Sequence, residues 1–84
     1  MNDEIEIIMS PLCQSFEKDG ISLQIDIYRS QETDWTLEVI NPSNTSIVWD
    51  ETFMSDQLAL EEFQRTIQID GIQSFLDSHG DAAT

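Results

Sequence analysis

Alternating apolar and polar side chains give the clearest structural signal in this chain. Over residues 21–28 the odd positions are apolar and the even positions are mostly polar, and the alternation recurs over residues 35–40. Successive side chains of an extended chain point to opposite faces, so this pattern predicts strands with one buried face. Turn residues at 41–44 are followed by residues 47–53, which are predicted to form a third strand. Because the connections are short, we predict a three-stranded antiparallel β-meander.

The first segment of the chain has a different spacing. Its apolar residues recur at intervals of three and four, which places them in one stripe of an α-helix. These residues are Ile5, Ile8, Met9, Leu12 and Phe16. Asp3 followed by Glu6 resembles a capping box, and Lys18 followed by Gly20 resembles a helix end. The spacing therefore predicts an N-terminal helix over residues 4–18.

Pro11 lies in the middle of this predicted helix, where it removes an amide donor and clashes with the preceding turn. Two interpretations remain. One is a helix over residues 4–18 with a kink at Pro11. The other is an extended segment over residues 4–9, followed by a short helix that Ser10 caps. We favour the kinked helix because the apolar stripe continues in phase across the proline.

A second helical pattern begins after the predicted strands. Ser55 is a suitable N-cap, and the apolar residues that follow it have helical spacing. This stripe comprises Ala59, Leu60, Phe63 and Ile67. Ile72 and Leu76 fall off the stripe, so we predict a break near Gly71 and a short last helix. Asp70 and Gln73 would form its capping box. Residues 81–84 are predicted to be a disordered tail.

Together these elements predict a single α+β domain over residues 1–84. It consists of an N-terminal helix, a three-stranded antiparallel β-meander, and one or two C-terminal helices packed on one sheet face. This order resembles that of the double-stranded-RNA-binding domain. Such domains carry basic side chains where their last helix begins, whereas residues 55–62 contain three acidic residues and no basic one. The resemblance implies a topology and no function.

Carboxylates far outnumber basic side chains. The chain has 17 aspartates and glutamates against three lysines and arginines, for a formal net charge of -14. Because nucleic acids and anionic membranes attract clustered lysine and arginine, we expect no direct binding to either. The expected partner is a protein with a basic patch. A hydrophobic fraction of 39% with regular spacing indicates a folded core and argues against a disordered acidic chain.

The cysteine content and the first residues favour a cytoplasmic protein. Cys13 is the only cysteine, so no intramolecular disulfide can form, which is typical of the reducing cytosol. The first residues are acidic and do not resemble a secretory signal. No apolar run approaches the ~18 residues of a membrane span.

The residue types offer no constellation for catalysis or metal binding. Zinc sites combine several cysteines and histidines, and this chain has only Cys13 and His79. A serine or cysteine nucleophile needs a nearby base, and the single histidine lies next to the predicted tail. The three glycines are isolated, so there is no glycine-rich phosphate loop. We therefore expect a protein that is not an enzyme and that uses no cofactor or metal.

The sheet face that the helices leave uncovered is the candidate functional surface. By alternation it carries one carboxylate from each predicted strand, and three carboxylates side by side would form an acidic binding surface or recruit a cation. Apolar side chains on the same face favour contact with another protein, including a second copy of this chain. The candidate residues are Asp26, Tyr28, Glu38, Ile40, Val48 and Asp50.

Three functional hypotheses follow from the sequence. The first is a small acidic interaction domain that presents carboxylates to a basic patch on a protein partner. The second is a nucleic-acid mimic that occupies the DNA or RNA site of a binding protein. The third is a small-ligand, cation-binding or enzymatic domain that uses Asp26, Glu38 or Asp50. The charge imbalance, combined with a foldable core and no catalytic motif, favours the first.

Overall fold

Five strands and one α-helix form the part of the chain that the structure, a computed structural model, describes: residues 6–76. The strands are β1 (Ile8–Met9), β2 (Gln14–Lys18), β3 (Ile21–Arg29), β4 (Thr36–Ile40) and β5 (Ser46–Val48). Helix α1 spans Asp56–Asp70, and a 3₁₀ turn follows at Ile72–Phe75. Asp3, His79 and the predicted tail at residues 81–84 lie outside the described residues.

All five strands belong to one antiparallel sheet. One side of β3 pairs with β4, which pairs in turn with β5. The other side of β3 pairs with β2 and then with β1 along its length. The predicted N-terminal helix and three-stranded meander are therefore wrong, because the N-terminal segment is extended and adds two strands. The resemblance in element order to the double-stranded-RNA-binding domain is lost with that helix.

A tight hairpin explains why the N-terminal segment is extended. Strands β2 and β3 close at the Lys18–Ile21 pair, which leaves a loop of only Asp19 and Gly20. Both loop residues have positive φ, 55° for Asp19 and 80° for Gly20. Asp-Gly is among the preferred sequences for such two-residue turns because both positions need left-handed backbone. The glycine that we interpreted as a helix end is thus half of a hairpin turn.

The edge of the sheet is interrupted between β1 and β2, where Pro11 lies. Residues 10–13 stand opposite only two residues of β3, so the missing amide donor of Pro11 disturbs no regular pairing. The Ser10 amide donates to the Ile27 carbonyl at 2.9 Å. The Ile27 amide donates to the Cys13 thiol sulfur at 3.2 Å. Cys13 therefore satisfies a backbone group that the interruption would otherwise leave unpaired.

One face of the sheet packs against α1 and the 3₁₀ turn, and the alternation of β3 and β4 correctly predicted which residues lie there. The odd positions are buried in β4 and in the middle of β3, together with one stripe of α1 and two residues of the 3₁₀ turn. These core residues are Leu23, Ile25, Ile27, Leu37, Val39, Ala59, Phe63, Ile67, Ile72 and Phe75. Trp35 and Trp49 are partly buried against this core.

Both ends of α1 lie close to the predicted positions. The Ser55 hydroxyl accepts a hydrogen bond from the Leu58 amide at 3.1 Å, so Ser55 is the N-cap, as predicted. The helix ends at Asp70 because Gly71 follows with a φ of 82°. The predicted capping box of Asp70 and Gln73 is wrong, since no side chain caps the 3₁₀ turn. Within residues 6–76, no helix combines the length and apolar composition needed to cross a bilayer.

Candidate interaction surface

Strand register determines which side chains meet on the uncovered side of the sheet. Directly paired residues of neighbouring strands have their side chains on the same face. Asp26 pairs with Glu38, and Glu38 pairs with Val48 on the next strand. Gln24 pairs with Ile40, and Tyr28 pairs with Thr36. The open face is defined here by Gln24, Asp26, Tyr28, Thr36, Glu38, Ile40, Ser46 and Val48.

Asp26 and Glu38 are adjacent carboxylates on two neighbouring strands. Like charges at directly opposed positions repel one another, and polar neighbours on the same face compensate for part of this cost. The Tyr28 hydroxyl donates to Glu38 Oε1 at 2.9 Å, and the Ser46 hydroxyl donates to Glu38 Oε2. The Gln24 side-chain amide donates to Asp26 Oδ1 at 3.0 Å. Both carboxylates are therefore held in place by hydrogen bonds while remaining partly exposed.

The same cluster changes the acidity of Tyr28. Partial burial, the hydrogen bond to Glu38 and the negative charges of Glu38 and Asp26 raise the pKa of Tyr28 from its usual value of 10.0 to about 12. Each cause acts against the tyrosinate, because burial and nearby carboxylates disfavour a further negative charge. Tyr28 therefore remains a hydrogen-bond donor to Glu38 well into the alkaline range.

We expect a direct titration to show this shift, since Tyr28 is the only tyrosine in the chain. Tyrosinate absorbance should develop with a midpoint near pH 12 in the folded protein, and stability should fall as pH rises from 10 to 12 because the unfolded chain releases the proton first. In the Glu38→Gln variant the midpoint should move down but stay above 10, because burial is the largest cause. A wild-type midpoint near 10 in protein shown to be folded would contradict the assignment.

Asp50 does not join the other two carboxylates. Strand β5 ends at Val48, and Asp50 lies exposed in a bend two residues later. The chain returns to the sheet at an isolated bridge between Trp35 and Phe53, so the predicted third strand over residues 47–53 is shorter than expected. Of the three carboxylates that alternation assigned to this face, only Asp26 and Glu38 lie side by side. Among residues 6–76, no group of three or more histidine, cysteine or acidic side chains is arranged to hold a metal ion.

Exposed apolar side chains border the carboxylate pair. Val48, directly across from Glu38, is 49% exposed. Met9 of β1 is 51% exposed and pairs with Tyr28 across the edge of β3 that faces away from β4. Met9 was not predicted to lie on this surface, because its spacing placed it in a helical stripe. The Asp19-Gly20 turn was the available signal, since a hairpin there places the preceding segment beside β3.

Two of the three basic side chains of the chain are engaged away from the open face. Arg65 forms a salt bridge with Glu62 at 2.9 Å, the one ion pair found within residues 6–76. The Arg29 guanidinium lies 5.3 Å from the ring centroid of Trp35 and donates to the Ser30 carbonyl at 3.0 Å. The negative charges of Asp26 and Glu38 are thus met by hydroxyl and amide donors and by no cation of the described chain.

No family model matches this chain, and comparisons with curated proteins and with solved structures found no significant match.

Proposed function

We propose that this chain is a small, non-enzymatic interaction domain whose open face binds a basic patch on a protein partner. The observation that supports the proposal is the direct pairing of Asp26 with Glu38 beside exposed Val48. Two adjacent carboxylates attract cationic side chains. Burial of the neighbouring apolar surface under a partner makes the free energy of binding more favourable. This combination is typical of a protein interface with charged and apolar contacts.

The spacing of the two carboxylates suits arginine. The Ile27 carbonyl accepts a hydrogen bond from Ser10. Because consecutive residues of a strand direct their backbone groups to opposite neighbours, the amide and carbonyl of Asp26 point toward Glu38 on β4. Hydrogen-bonded pairs of this kind have Cα atoms about 5.5 Å apart. A guanidinium has five donors in a planar fork and can contact two carboxylates at once, while its flat face can stack on an aromatic ring such as that of Tyr28.

The overall charge favours a partner of opposite sign. A net charge of -14 raises the rate of association with a basic protein. It lowers the rate of association with a second copy, which carries the same charge. We therefore propose a basic heterologous partner in preference to a homodimer. The proposed binding is strongest at low ionic strength, because salt screens exposed charges over about 10 Å at 0.1 M.

The test compares two variants with equal charge. Asp26→Asn combined with Glu38→Gln removes both carboxylates of the open face. Glu61→Gln combined with Asp70→Asn removes two exposed carboxylates of α1 and is the control. A protein retained from lysate by the wild type at low salt and released at high salt is purified, and its affinity for each variant is measured by calorimetry.

We expect the open-face variant to bind this partner at least about tenfold more weakly, since hydrogen bonds to charged groups contribute roughly 1.5–3 kcal/mol each. The α1 variant should lose no more than about threefold, through the smaller net charge alone. Equal losses in the two variants would show that the open face is not the binding site.

A further inference from the structure

In the described part of the chain, one edge of β2 has no paired strand. Within residues 6–76, its only neighbour in the sheet is β3. The two-residue hairpin closes on the hydrogen-bonded pair of Lys18 and Ile21. From there, hydrogen-bonded and non-hydrogen-bonded pairs alternate along the two strands. The amides and carbonyls of Ser15 and Glu17 therefore point away from β3, toward the free edge. Such an edge is a template for another strand.

The opposite edge of the sheet, at β5, is shorter than the β2 edge. Strand β5 has only three residues, Ser46–Val48, and bends follow it at once. Strand β2 has five residues, Gln14–Lys18, which is close to the usual length of a strand in globular proteins. An additional strand could therefore pair over a greater length with β2 than with β5.

An apolar groove accompanies the β2 edge on the helix side of the sheet. It has a volume of ≈ 320 Å³ and is lined by Phe16, Phe63, Gln64, Ile67 and Gln68. This volume lies at the lower end of the range for ligand pockets, which begins near 300 Å³. Alternate side chains of a strand added to β2 would point toward this groove, because side chains alternate between the two faces. Main-chain hydrogen bonds with a pocket for alternate side chains are the features of recognition by strand addition.

The other side chains of an added strand would face the open side of the sheet. There Ser15 and Glu17 pair with Gln24 and Ser22, so the charged group of β2 on this side is a carboxylate. A lysine or arginine in the added strand would lie beside Glu17. A second copy of β2 would instead bring another Glu17 and another net charge of -14, which disfavours self-pairing.

We propose that the β2 edge binds an extended segment of a protein partner as an additional antiparallel strand, with apolar side chains toward the groove and basic side chains toward Glu17. This site is separate from the open-face pair of Asp26 and Glu38, and the proposal does not depend on the function proposed above.

The probe is a synthetic peptide in which lysine and leucine alternate over slightly more than the length of β2. Added to the isotope-labelled full chain, it should shift the NMR signals of β2 and slow hydrogen exchange of the Ser15 and Glu17 amides. A peptide of the same composition with its lysines and leucines in separate blocks should bind more weakly, since it cannot present one apolar and one basic face.

Backbone N-methylation of the peptide tests the hydrogen bonds without altering the protein. In an antiparallel pair, the residues that bond to Ser15 and Glu17 have side chains on the same face as these two residues, so they are the lysines. Methylation of the lysine amides should weaken binding by about tenfold or more, because at least two main-chain hydrogen bonds are lost. Methylation of the leucine amides, which point away from β2, should have little effect.

A matched pair of protein variants gives a second test. Ser15→Pro removes one outward amide and no bond to β3, a position where edge strands tolerate proline, whereas Ser15→Ala keeps the amide. We expect only the proline variant to lose affinity for the alternating peptide. Equal affinity of the two methylated peptides, or binding shifts confined to the open face, would overturn the proposal; Asp26→Asn with Glu38→Gln should weaken this binding by no more than about threefold, through the smaller net charge alone.

Discussion

Replacing Phe63 with alanine should lower the free energy of unfolding by about 3–5 kcal/mol, the usual cost of removing a buried phenylalanine ring. Phe63 is 1% exposed and lies at the centre of the contacts between three elements. Its ring packs edge-on against Phe16 of β2, with centroids 5.3 Å apart, and against Phe75 of the 3₁₀ turn at 5.6 Å. The substitution therefore removes the side chain that joins α1 to both.

The size of this loss matters because the domain is small. At roughly 0.05–0.15 kcal/mol per residue, a chain of this length has a total stability of about 4–13 kcal/mol. Phe63→Ala should thus remove a large share of it and, at the lower end of that range, leave much of the protein unfolded at room temperature. Urea denaturation followed by tryptophan fluorescence measures the change, since Trp35 and Trp49 both pack against the core.

The control for this prediction lies on the same helix. Ile69 is 66% exposed, so Ile69→Ala should change the stability by no more than about 0.5 kcal/mol. If Phe63→Ala and Ile69→Ala had similar effects, α1 would not pack on the sheet through the Phe63 stripe, and the assignment of the core would be wrong.

The parts of the fold that the sequence predicted correctly are those in which one face is fully buried. Strands β3 and β4 each have neighbours on both sides and α1 over one face, so their buried positions alternate without exception. Helix α1 likewise has a single buried stripe that includes Phe63 and Ile67. In both cases burial imposes the periodicity that the sequence displays.

The N-terminal segment was predicted wrongly because its strands are at an edge. Strand β2 has a single partly buried apolar residue, Phe16, and exposed residues at its other positions, so it shows no alternation. The interruption at residues 10–13 also changes the spacing between Ile8 and Phe16, which produced a helical interval by chance. Edge strands carry fewer buried side chains than inner ones, and local turn sequences such as Asp19-Gly20 are then the better guide.

For a related reason, the sequence predicted only part of the candidate surface correctly. Alternation placed Asp26, Glu38 and Asp50 on one face, but their adjacency depends on strand register and strand length. Register follows from the turns between strands, and it brings Asp26 opposite Glu38. Strand β5 stops at Val48, and no periodic signal marks that end, so the displacement of Asp50 could not be read from the pattern.

Asn41 is the second residue whose replacement should have a large effect. It is 3% exposed and follows directly after β4. Its side-chain amide donates to the Phe75 carbonyl at 2.9 Å, and its Oδ1 accepts hydrogen bonds from the amides of Ser43 and Thr45, both at 2.9 Å. One side chain therefore organises the turn between β4 and β5 and attaches it to the 3₁₀ turn.

We expect Asn41→Ala to destabilise the protein by about 2–3 kcal/mol, because the buried Phe75 carbonyl loses this donor and the penalty for an unsatisfied buried group is of this order. The Ser43 and Thr45 hydrogen bonds are only partly buried, so their amides can reach water and add less. The control is Ser43→Ala, an exposed position whose amide remains, which should change stability by no more than about 0.5 kcal/mol. Urea denaturation measures both variants.

Asn41→Asp separates the two roles of this side chain. The carboxylate keeps an oxygen to accept from Ser43 and Thr45, but its second oxygen faces the Phe75 carbonyl and cannot donate. Burial and this repulsion raise the pKa of the introduced group in the folded state. Its neutral form can donate to Phe75, so the stability deficit relative to wild type should shrink as pH falls toward about 4 and grow as pH rises toward 7. A deficit that does not depend on pH would show that the bond to Phe75 is not what stabilises the C-terminal packing.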